Sequence, residues 1–209
     1  MKAVIFDFDG TIGDSLPGVI ELFERFNNRE PLTAKERSDL QHKSILNVAL
    51  KMQIPKWRIA TLAFTGRRLF AQHTDAVQPH PGMDDLIARL YSLDVSLYIL
   101  SVNRTDNVRS CIRRYGLEKC FSGIFGGANS FSKTRALRRL VKREGLDIGH
   151  TWYVGDQEVD VVSAQHAGIP VIAVDWGYAA ADTLRLANPD YLVSDAYQLE
   201  EVLNICFQK

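Results

Sequence analysis

Two acidic residues follow the first apolar segment of the chain, in the sequence KAVIFDFDGTIGD. Asp7 and Asp9 are two positions apart, so extended backbone would direct both carboxylates to the same side. Like charges this close repel each other, and burial behind an apolar strand makes the repulsion worse. A divalent cation such as Mg²⁺, which prefers oxygen ligands, would relieve it. The motif therefore indicates a metal site, the alternative being a pair of solvated acids in a turn.

A second acidic cluster lies in YVGDQEVD, where an apolar segment ends at Val154. If a helix starts at this point, the spacing of four puts Asp156 and Asp160 on the same face. Acids in a first helical turn also interact favourably with the helix dipole. By itself the cluster is therefore either a pair of metal ligands or a helix-terminal feature, and Glu158 is expected in solvent.

Other residues could bind an anion beside these carboxylates. Ser101 follows the apolar segment VSLYIL, with Asn103 close behind, and a serine with free backbone N–H groups at a strand end can hold phosphate. Serine and asparagine are also ordinary turn residues. Thr11 offers a hydroxyl and a backbone N–H. Lys133, in NSFSKTRAL, either balances the carboxylates and a phosphate or is simply solvated.

Short apolar segments separated by helical patterns would position these residues. The predicted strands are Ala3–Phe6, Val95–Leu100, Ile124–Phe125, Thr151–Val154, Val171–Val174 and Tyr191–Val193. The predicted helices between and after them are Asp84–Tyr91, Thr134–Glu144, Val159–Ala167 and Gln198–Leu203. Such alternation predicts an α/β fold with a three-layer, Rossmann-like parallel sheet. Chemistry in these sheets lies beyond the carboxyl ends of the strands, so the acids and Ser101 are expected to meet at one rim.

One segment interrupts the alternation. Residues 15–78 show helical patterns and no convincing strand, with Ser15 as a helix cap and further helices predicted at 34–40, 44–52 and 56–72. The breaker QPHPG ends the segment. We therefore expect two domains, an α/β core of residues 1–14 and 79–209 and an inserted helical cap of residues 15–78. An insert at the rim is well placed to act as a lid, with residues 13–15 as its hinge.

Composition excludes several classes of partner. The 209 residues are 46% apolar and 24% charged, as in ordinary globular proteins. Lys and Arg total 25 and Asp and Glu total 25, so no overall basic charge favours nucleic acid, and the basic run from Arg135 to Arg143 is interpreted as a solvated helix face. No stretch approaches the roughly 18 apolar residues of a membrane helix. Three cysteines without metal spacing fit reduced thiols, so we expect a cytoplasmic protein that contacts neither nucleic acid nor membrane.

The order of these motifs makes the chain resemble the haloacid dehalogenase superfamily of phosphohydrolases. The resemblance rests on DFDGT at 7–11, Ser101, Lys133 and GDQEVD at 155–160, and it extends over most of the chain. The helical insert and the segments AGIPVIAVDWGY and PDYLV are similar to the phosphoglycolate phosphatase-like branch. One departure is Thr134, where many relatives have proline, and it concerns the geometry of the loop.

The resemblance implies a role for each residue. Asp7 would be the nucleophile that forms an aspartyl-phosphate, and Asp9 would protonate the leaving oxygen and then activate water. Mg²⁺ would be held by Asp7, the backbone carbonyl of Asp9 and Asp156. Asp160 would support the metal from just outside or through water. The residues expected to bind phosphate are Thr11, Ser101, Asn103 and Lys133.

The implied activity is Mg²⁺-dependent hydrolysis of a small phosphorylated metabolite, with phosphoglycolate or a sugar phosphate as candidates. Asp9 favours phosphoryl chemistry over dehalogenation, whereas a phosphomutase shares all four motifs and stays open. Phosphonate hydrolysis would need a desolvated cap lysine, and nothing marks Lys43 or Lys51 as one. A phospho-accepting signalling module uses similar groups, but the long insert argues against it, and the full motif set argues against a binding scaffold without turnover. Candidates for selecting the substrate are His42, Lys43, Arg67, Arg68 and Arg104.

Overall fold

The computed structural model describes residues 2–26, 32–33, 35–36, 48–49, 51–54, 77–128 and 132–208. The strands are β1 (Ala3–Phe6), β2 (Gly13–Asp14), β3 (Gln78–Pro79), β4 (Ser96–Leu100), β5 (Phe121–Phe125), β6 (Thr151–Gly155), β7 (Val171–Val174) and β8 (Tyr191–Val193). Six of them form one sheet in the order β5-β4-β1-β6-β7-β8, and every neighbouring pair is parallel. The parallel sheet, together with the helices that cover it, confirms the predicted α/β fold class.

The helices connect successive strands. They are α1 (Leu16–Phe26), α2 (Met83–Ser92), α3 (Thr105–Arg114), α4 (Lys133–Glu144), α5 (Glu158–Ala167), α6 (Ala181–Leu186) and α7 (Ala196–Gln208). Short 3₁₀ turns lie at Glu118–Cys120 and Ile148–His150. No described helix is long and apolar enough to cross a membrane.

The sequence of β1 shows why the sheet is covered on both faces. Successive side chains of a strand point to opposite faces. Val4 and Phe6 pack into one buried cluster with residues of α2, α3 and α7, whereas Ala3 and Ile5 pack into a second cluster with residues of α4 and α5. All four side chains are fully buried, so β1 is apolar at every position, as is usual for a central parallel strand.

The strand register brings the functional segments to one edge. Phe6 at the end of β1 pairs with Ile99 in β4 and with Val154 in β6. The chain leaves these three strands at Asp7, Ser101 and Asp156. Because parallel strands all run in the same direction, these residues lie at the same rim of the sheet.

A small antiparallel ribbon joins the core to residues 15–78. Gly13 of β2 pairs with Pro79 of β3, and Asp14 pairs with Gln78. Beyond the ribbon, α1 contributes Ile20 to a third buried cluster, separate from the two that cover the sheet. The other buried members of this cluster are Val48, Ala49, Met52 and Ile54.

The structure confirms the six sheet strands and the four predicted helices, with ends that shift by a few residues. Two helices, α3 and α6, were not predicted. The short strands β2 and β3 were not predicted either, and β3 begins at Gln78, within the segment that was expected to contain no strand. The insert begins with α1 directly after Ser15, as predicted for a helix cap. Most of the three further helices predicted in the insert fall outside the described residues, and the division into core and cap stays a prediction.

Candidate active site

The chain turns sharply just after β1, within the DFDGT motif. The backbone N–H groups of Thr11, Ile12 and Gly13 all donate to the carbonyl of Phe8, at 3.2, 3.0 and 2.9 Å. Gly10 has a φ of 80°, a conformation that favours glycine. A Cβ at Gly10 would also lie only 2.7 Å from the Tyr178 ring. The DFDGT motif therefore uses its glycine for both backbone shape and space.

Asp7 is 3% exposed and is held at both oxygens. The N–H of Phe8 donates to its Oδ1 at 2.8 Å, and Nζ of Lys133 donates to its Oδ2 at 2.9 Å. Burial raises the pKa of Asp7 from 3.8 to about 7, although the positive charge of Lys133 opposes this rise. The two hydrogen bonds fix the direction of the carboxylate. Because burial favours the neutral acid, nearby cations are needed to stabilise the ionised form.

Three buried acids come together beside this carboxylate. One oxygen each of Asp7, Asp156 and Asp160 lies within 4.8 Å of the others. Asp156 is fully buried, and its Oδ2 accepts from the N–H of Tyr178 at 2.7 Å and its Oδ1 from Thr11 Oγ1 at 3.2 Å. Burial, together with the charges of Asp160 and Asp7, holds the pKa of Asp156 well above its usual range. A divalent cation is the ligand that this donor set fits, because hard carboxylate oxygens suit Mg²⁺.

Lys133 is the cation within this acidic cluster. It is 1% exposed and pairs with Asp160 Oδ1 as well as with Asp7. Tyr153 also donates its hydroxyl to Asp160 Oδ1, at 3.1 Å, and the N–H of Gln157 donates to Asp160 Oδ2 at 3.0 Å. Burial alone would lower the pKa of Lys133, but the two acids more than reverse this and raise it well above 10.5. The lysine therefore stays charged.

Asp9 is only partly buried, unlike the three acids of the cluster. Its carboxylate accepts from Nδ2 of Asn103 at 3.1 and 3.3 Å and also bonds to Ser15. The Ser15 hydroxyl lies 2.7 Å from the hydroxyl of Tyr178. Burial raises the pKa of Asp9, although the hydrogen bonds from Ser15 and Asn103 oppose the rise. Asp9 thus accepts from an amide and a hydroxyl side chain, whereas Asp7 accepts from the Lys133 ammonium and a backbone N–H.

The loop after β4 presents the remaining predicted groups. Ser101 is fully buried, and its Oγ accepts from the N–H of Asn103 at 3.0 Å. The Asn103 side chain faces Asp9, as described above. Arg104 is exposed and lies 3.8 Å from Asp106, at the surface of the protein. The structure therefore brings together all eight predicted site residues, and their individual roles remain predictions.

Several residues at the site were not found from the sequence. Tyr178 donates its N–H to Asp156, and Asn107 donates Nδ2 to the side-chain oxygen of Asn103 at 2.9 Å.

His80 and Trp176 line a cavity of about 220 Å³ beside Gly10. Burial lowers the pKa of His80, and its Nε2 is the one buried side-chain polar atom without a hydrogen-bond partner among the described residues. Trp176 and Tyr178 lie in the segment DWGY, which resembles the family. That resemblance was the signal that could have identified them as site residues.

The features that the sequence analysis interpreted as surface are at the surface. Glu158 and the five basic side chains of α4 are exposed, those of Arg135, Arg138, Arg139, Lys142 and Arg143. Four residues of the predicted cap, His42, Lys43, Arg67 and Arg68, lie outside the described residues.

Comparisons with known proteins find similarity to hydrolases and phosphatases. The model of a family described as haloacid dehalogenase-like hydrolase matches residues 4–174. A phosphoglycolate phosphatase from Synechococcus elongatus is 35% identical over 196 residues, which is 92% of each chain. A pyrophosphatase from Oceanobacillus iheyensis is 23% identical over 99% of each chain. A solved structure of a haloacid dehalogenase-like hydrolase from Streptococcus pneumoniae has a TM-score of 0.78 and 21% identity and covers 97% of this chain and 98% of that one. This last likeness supports the fold alone.

Proposed function

Since the chain belongs to the haloacid dehalogenase-like hydrolase family, we propose that it is a Mg²⁺-dependent phosphatase that hydrolyses a small phosphate monoester. Phosphoglycolate is the first substrate to test, because a relative of that activity is 35% identical over nearly the whole chain. The observation that carries the reaction is the position of Asp7. It is buried at the rim of the sheet, oriented by Lys133 and the Phe8 N–H, and close to Asp156.

The residues that would hold Mg²⁺ are Asp7, the Asp9 backbone carbonyl and Asp156. Bound there, the ion would supply positive charge to the phosphoryl oxygens and offset the repulsion between the acids. Asp160 would support it from just outside the ligand set. Asp160 accepts from three protein donors, Lys133, Tyr153 and the Gln157 N–H, whereas Asp7 and Asp156 each accept from two, which favours this indirect role.

Asp7 would act as the nucleophile. One of its oxygens attacks phosphorus and forms an aspartyl-phosphate while the bond from phosphorus to the ester oxygen breaks. Lys133 supports this role, because it holds Oδ2 of Asp7 and keeps its positive charge. Water then attacks the phosphorus of the aspartyl-phosphate, releasing inorganic phosphate and restoring the carboxylate.

Asp9 would move the protons in both steps. As an acid it donates a proton to the departing ester oxygen, and as a base it then removes a proton from the attacking water. Burial raises the pKa of Asp9, which is the direction that an acid role requires.

The phosphate itself would be bound by groups around the rim. Lys133 supplies a fixed positive charge, and Ser101 and Thr11 supply hydroxyls near the ends of β4 and β1. Asn103 contributes from the same loop as Ser101. Preorganised donors of this kind stabilise charge that develops in the transition state and supply much of the rate acceleration.

Residues 15–78 would form a helical cap over this site. The β2–β3 ribbon supports the assignment, because both chain connections to the cap pass through it side by side. The third apolar cluster supports it as well, since all of its described members come from this segment. A lid at this position would exclude water and select the substrate.

The test is release of phosphate from phosphoglycolate and p-nitrophenyl phosphate with and without Mg²⁺. We expect turnover that EDTA abolishes, and we expect Asp7→Asn to remove it while the circular dichroism spectrum stays unchanged. Asp84→Asn, at an exposed position of α2, is the matched control and should keep full activity. Wild-type protein that is inert with Mg²⁺ across a broad panel of phosphate esters would refute the proposal.

A further inference from the structure

We propose that Asn107 is a positioning residue for proton transfer, because it fixes the side-chain amide of Asn103 so that the NH₂ group holds the carboxylate of Asp9. The proposal rests on the proposed function, in which Asp9 protonates the leaving oxygen. It assigns a role to a residue of α3 that bonds to the loop after β4.

The hydrogen bonds around Asn103 allow one orientation of its amide. The side-chain oxygen accepts from Nδ2 of Asn107 at 2.9 Å and from the N–H of Arg104 at 2.8 Å. The side-chain nitrogen lies 3.1 and 3.3 Å from the two oxygens of Asp9. Asn103 is 8% exposed and Asn107 is 3% exposed, so water has little access to this network.

The two ends of an amide differ in chemistry, and this difference locks the Asn103 side chain in one orientation. The oxygen is an acceptor and the nitrogen carries two donors, so the network determines which end faces a given neighbour. A reversed Asn103 would bring its oxygen against the Asp9 carboxylate and its NH₂ group against the donors of Asn107 and Arg104. Both new contacts would be repulsive, and burial would make them more so.

Asn107 is also an unusual residue for its place in α3. The other buried side chains of this helix are Val108, Cys111 and Ile112, which pack into the apolar cluster under the sheet. A polar side chain on that face is unfavourable unless it is hydrogen-bonded. The bond to Asn103 meets this need, and it links the helix to the loop that carries Ser101.

The orientation of Asn103 matters because proton transfer depends on geometry. A carboxylate that contacts the same NH₂ group through both oxygens is limited to a narrow range of side-chain rotation. A small misplacement of a reacting group can lower a rate by a large factor. Loss of Asn107 would therefore weaken the acid step while the nucleophile, Lys133 and the acidic cluster stay in place.

The experiment compares two leaving groups in Asn107→Leu, which keeps the approximate size but donates no hydrogen bond. p-Nitrophenolate leaves without a proton, whereas the alkoxide of phosphoglycolate needs one. We expect kcat/KM, which reports the step that releases the leaving group, to fall ~10-fold or more for phosphoglycolate and less than about twofold for p-nitrophenyl phosphate. Val108→Ala, which disturbs the same helix from the next position, should affect both esters equally.

Two further measurements separate this role from damage to the fold. In NMR, the side-chain NH₂ protons of Asn103 should exchange slowly with solvent in wild type and in Val108→Ala, and faster in Asn107→Leu. Adding Asn107→Leu to Asn103→Ala should cause a smaller further loss for phosphoglycolate than Asn107→Leu causes alone, because the bond to Asn103 carries the proposed role.

Equal losses for both esters, or no loss for phosphoglycolate, would overturn the role of Asn107. Wild-type protein that is inert with Mg²⁺ across the broad panel of phosphate esters would overturn the proposed function and this role with it. In that event, slow exchange of the Asn103 amide would still establish the lock as a structural feature, so the two failures are distinguishable.

Discussion

Lys133 is the cation on which two buried carboxylates of the site depend. It contacts Asp7 and Asp160 and is itself almost fully buried. Removing one partner of a buried ion pair leaves the other charge uncompensated. The resulting loss of stability is larger than the stability that the intact pair contributes. A lysine at the start of a helix would usually be a surface residue, so its burial is the strongest indication of its importance.

We expect Lys133→Met to lower the free energy of unfolding by about 3–5 kcal/mol because it strands Asp7 and Asp160. Phosphatase activity should fall by ~10²-fold or more, since a fixed positive charge is lost at the phosphate. Urea denaturation and initial-rate kinetics measure the two effects. Arg135→Met, an exposed position two residues along the same helix, should change stability by less than about 0.5 kcal/mol. Similar stabilities for the two variants would show that the buried pairs are dispensable.

Asp7 links the stability of the metal-free protein to pH. Burial raises its pKa in the folded state from 3.8 to about 7, with Lys133 opposing the rise. The folded state therefore binds this proton more tightly than the unfolded state. Its contribution to stability is present at low pH and is lost as pH rises from 3.8 toward 7. The difference corresponds to roughly 4 kcal/mol, at about 1.4 kcal/mol for each pH unit.

We expect Asp7→Asn to lose this pH dependence, because an amide does not titrate. With EDTA present, the Tm of wild type should fall more steeply than that of the variant between about pH 4 and pH 7. Mg²⁺ should reduce the fall in wild type, since binding to the carboxylate replaces the proton. Calorimetry at a series of pH values measures both trends, and parallel curves for the two proteins in EDTA would contradict the prediction.

At the scale of elements, the loop after β7 closes the site against Asp156. A Cβ at Gly177 would overlap the Asp156 side chain and the carbonyl of Gly10. The adjacent Tyr178 N–H then donates to the same aspartate. The backbone of the loop after β7 thus packs directly against the Asp156 side chain at the end of β6. Glycine at position 177 permits this contact because it has no side chain.

We expect Gly177→Ala to lower stability by about 1–3 kcal/mol and to weaken Mg²⁺ activation, because Asp156 has to move. Thermal melts and a Mg²⁺ titration of the activity measure the two effects. Gly149→Ala is the control, since its Cβ would lie 3.5 Å from Asp147, an ordinary contact. An unchanged Mg²⁺ requirement in Gly177→Ala would show that the loop does not constrain the aspartate.

The elements that could be predicted from the sequence are those with a local signal. β1, β7 and β8 are short apolar segments, and their bounds match the predicted ones. α3 was missed because its sequence, TDNVRSCIRR, is mostly polar and buries only one narrow face. At the site, the motifs identified the groups that lie at strand ends. The contacts of Asn107 and Tyr178 depend on how distant segments pack, which no local pattern encodes.

At the scale of the whole molecule, three apolar clusters divide the described chain. Two of them lie on opposite faces of the sheet and share strands such as β1 and β6. The third contains Ile20, Met52 and their neighbours in residues 15–78. Because the sheet strands contribute to both core clusters, disturbing either should affect the entire core. The third cluster has no member from the sheet, so it is expected to open on its own.

The proposed division into cap and core is tested by Met52→Ala. Met52 is 1% exposed, and truncation of a buried methionine typically costs about 2–5 kcal/mol. We expect hydrogen exchange to accelerate in α1 while β1 stays protected, because the loss falls on the cap alone. Leu203→Ala, fully buried in α7 against the sheet, is the counterpart and should reduce protection throughout the core. If Met52→Ala instead exposed β1 as much as Leu203→Ala does, the two parts would unfold as one unit and residues 15–78 would not form a separate cap.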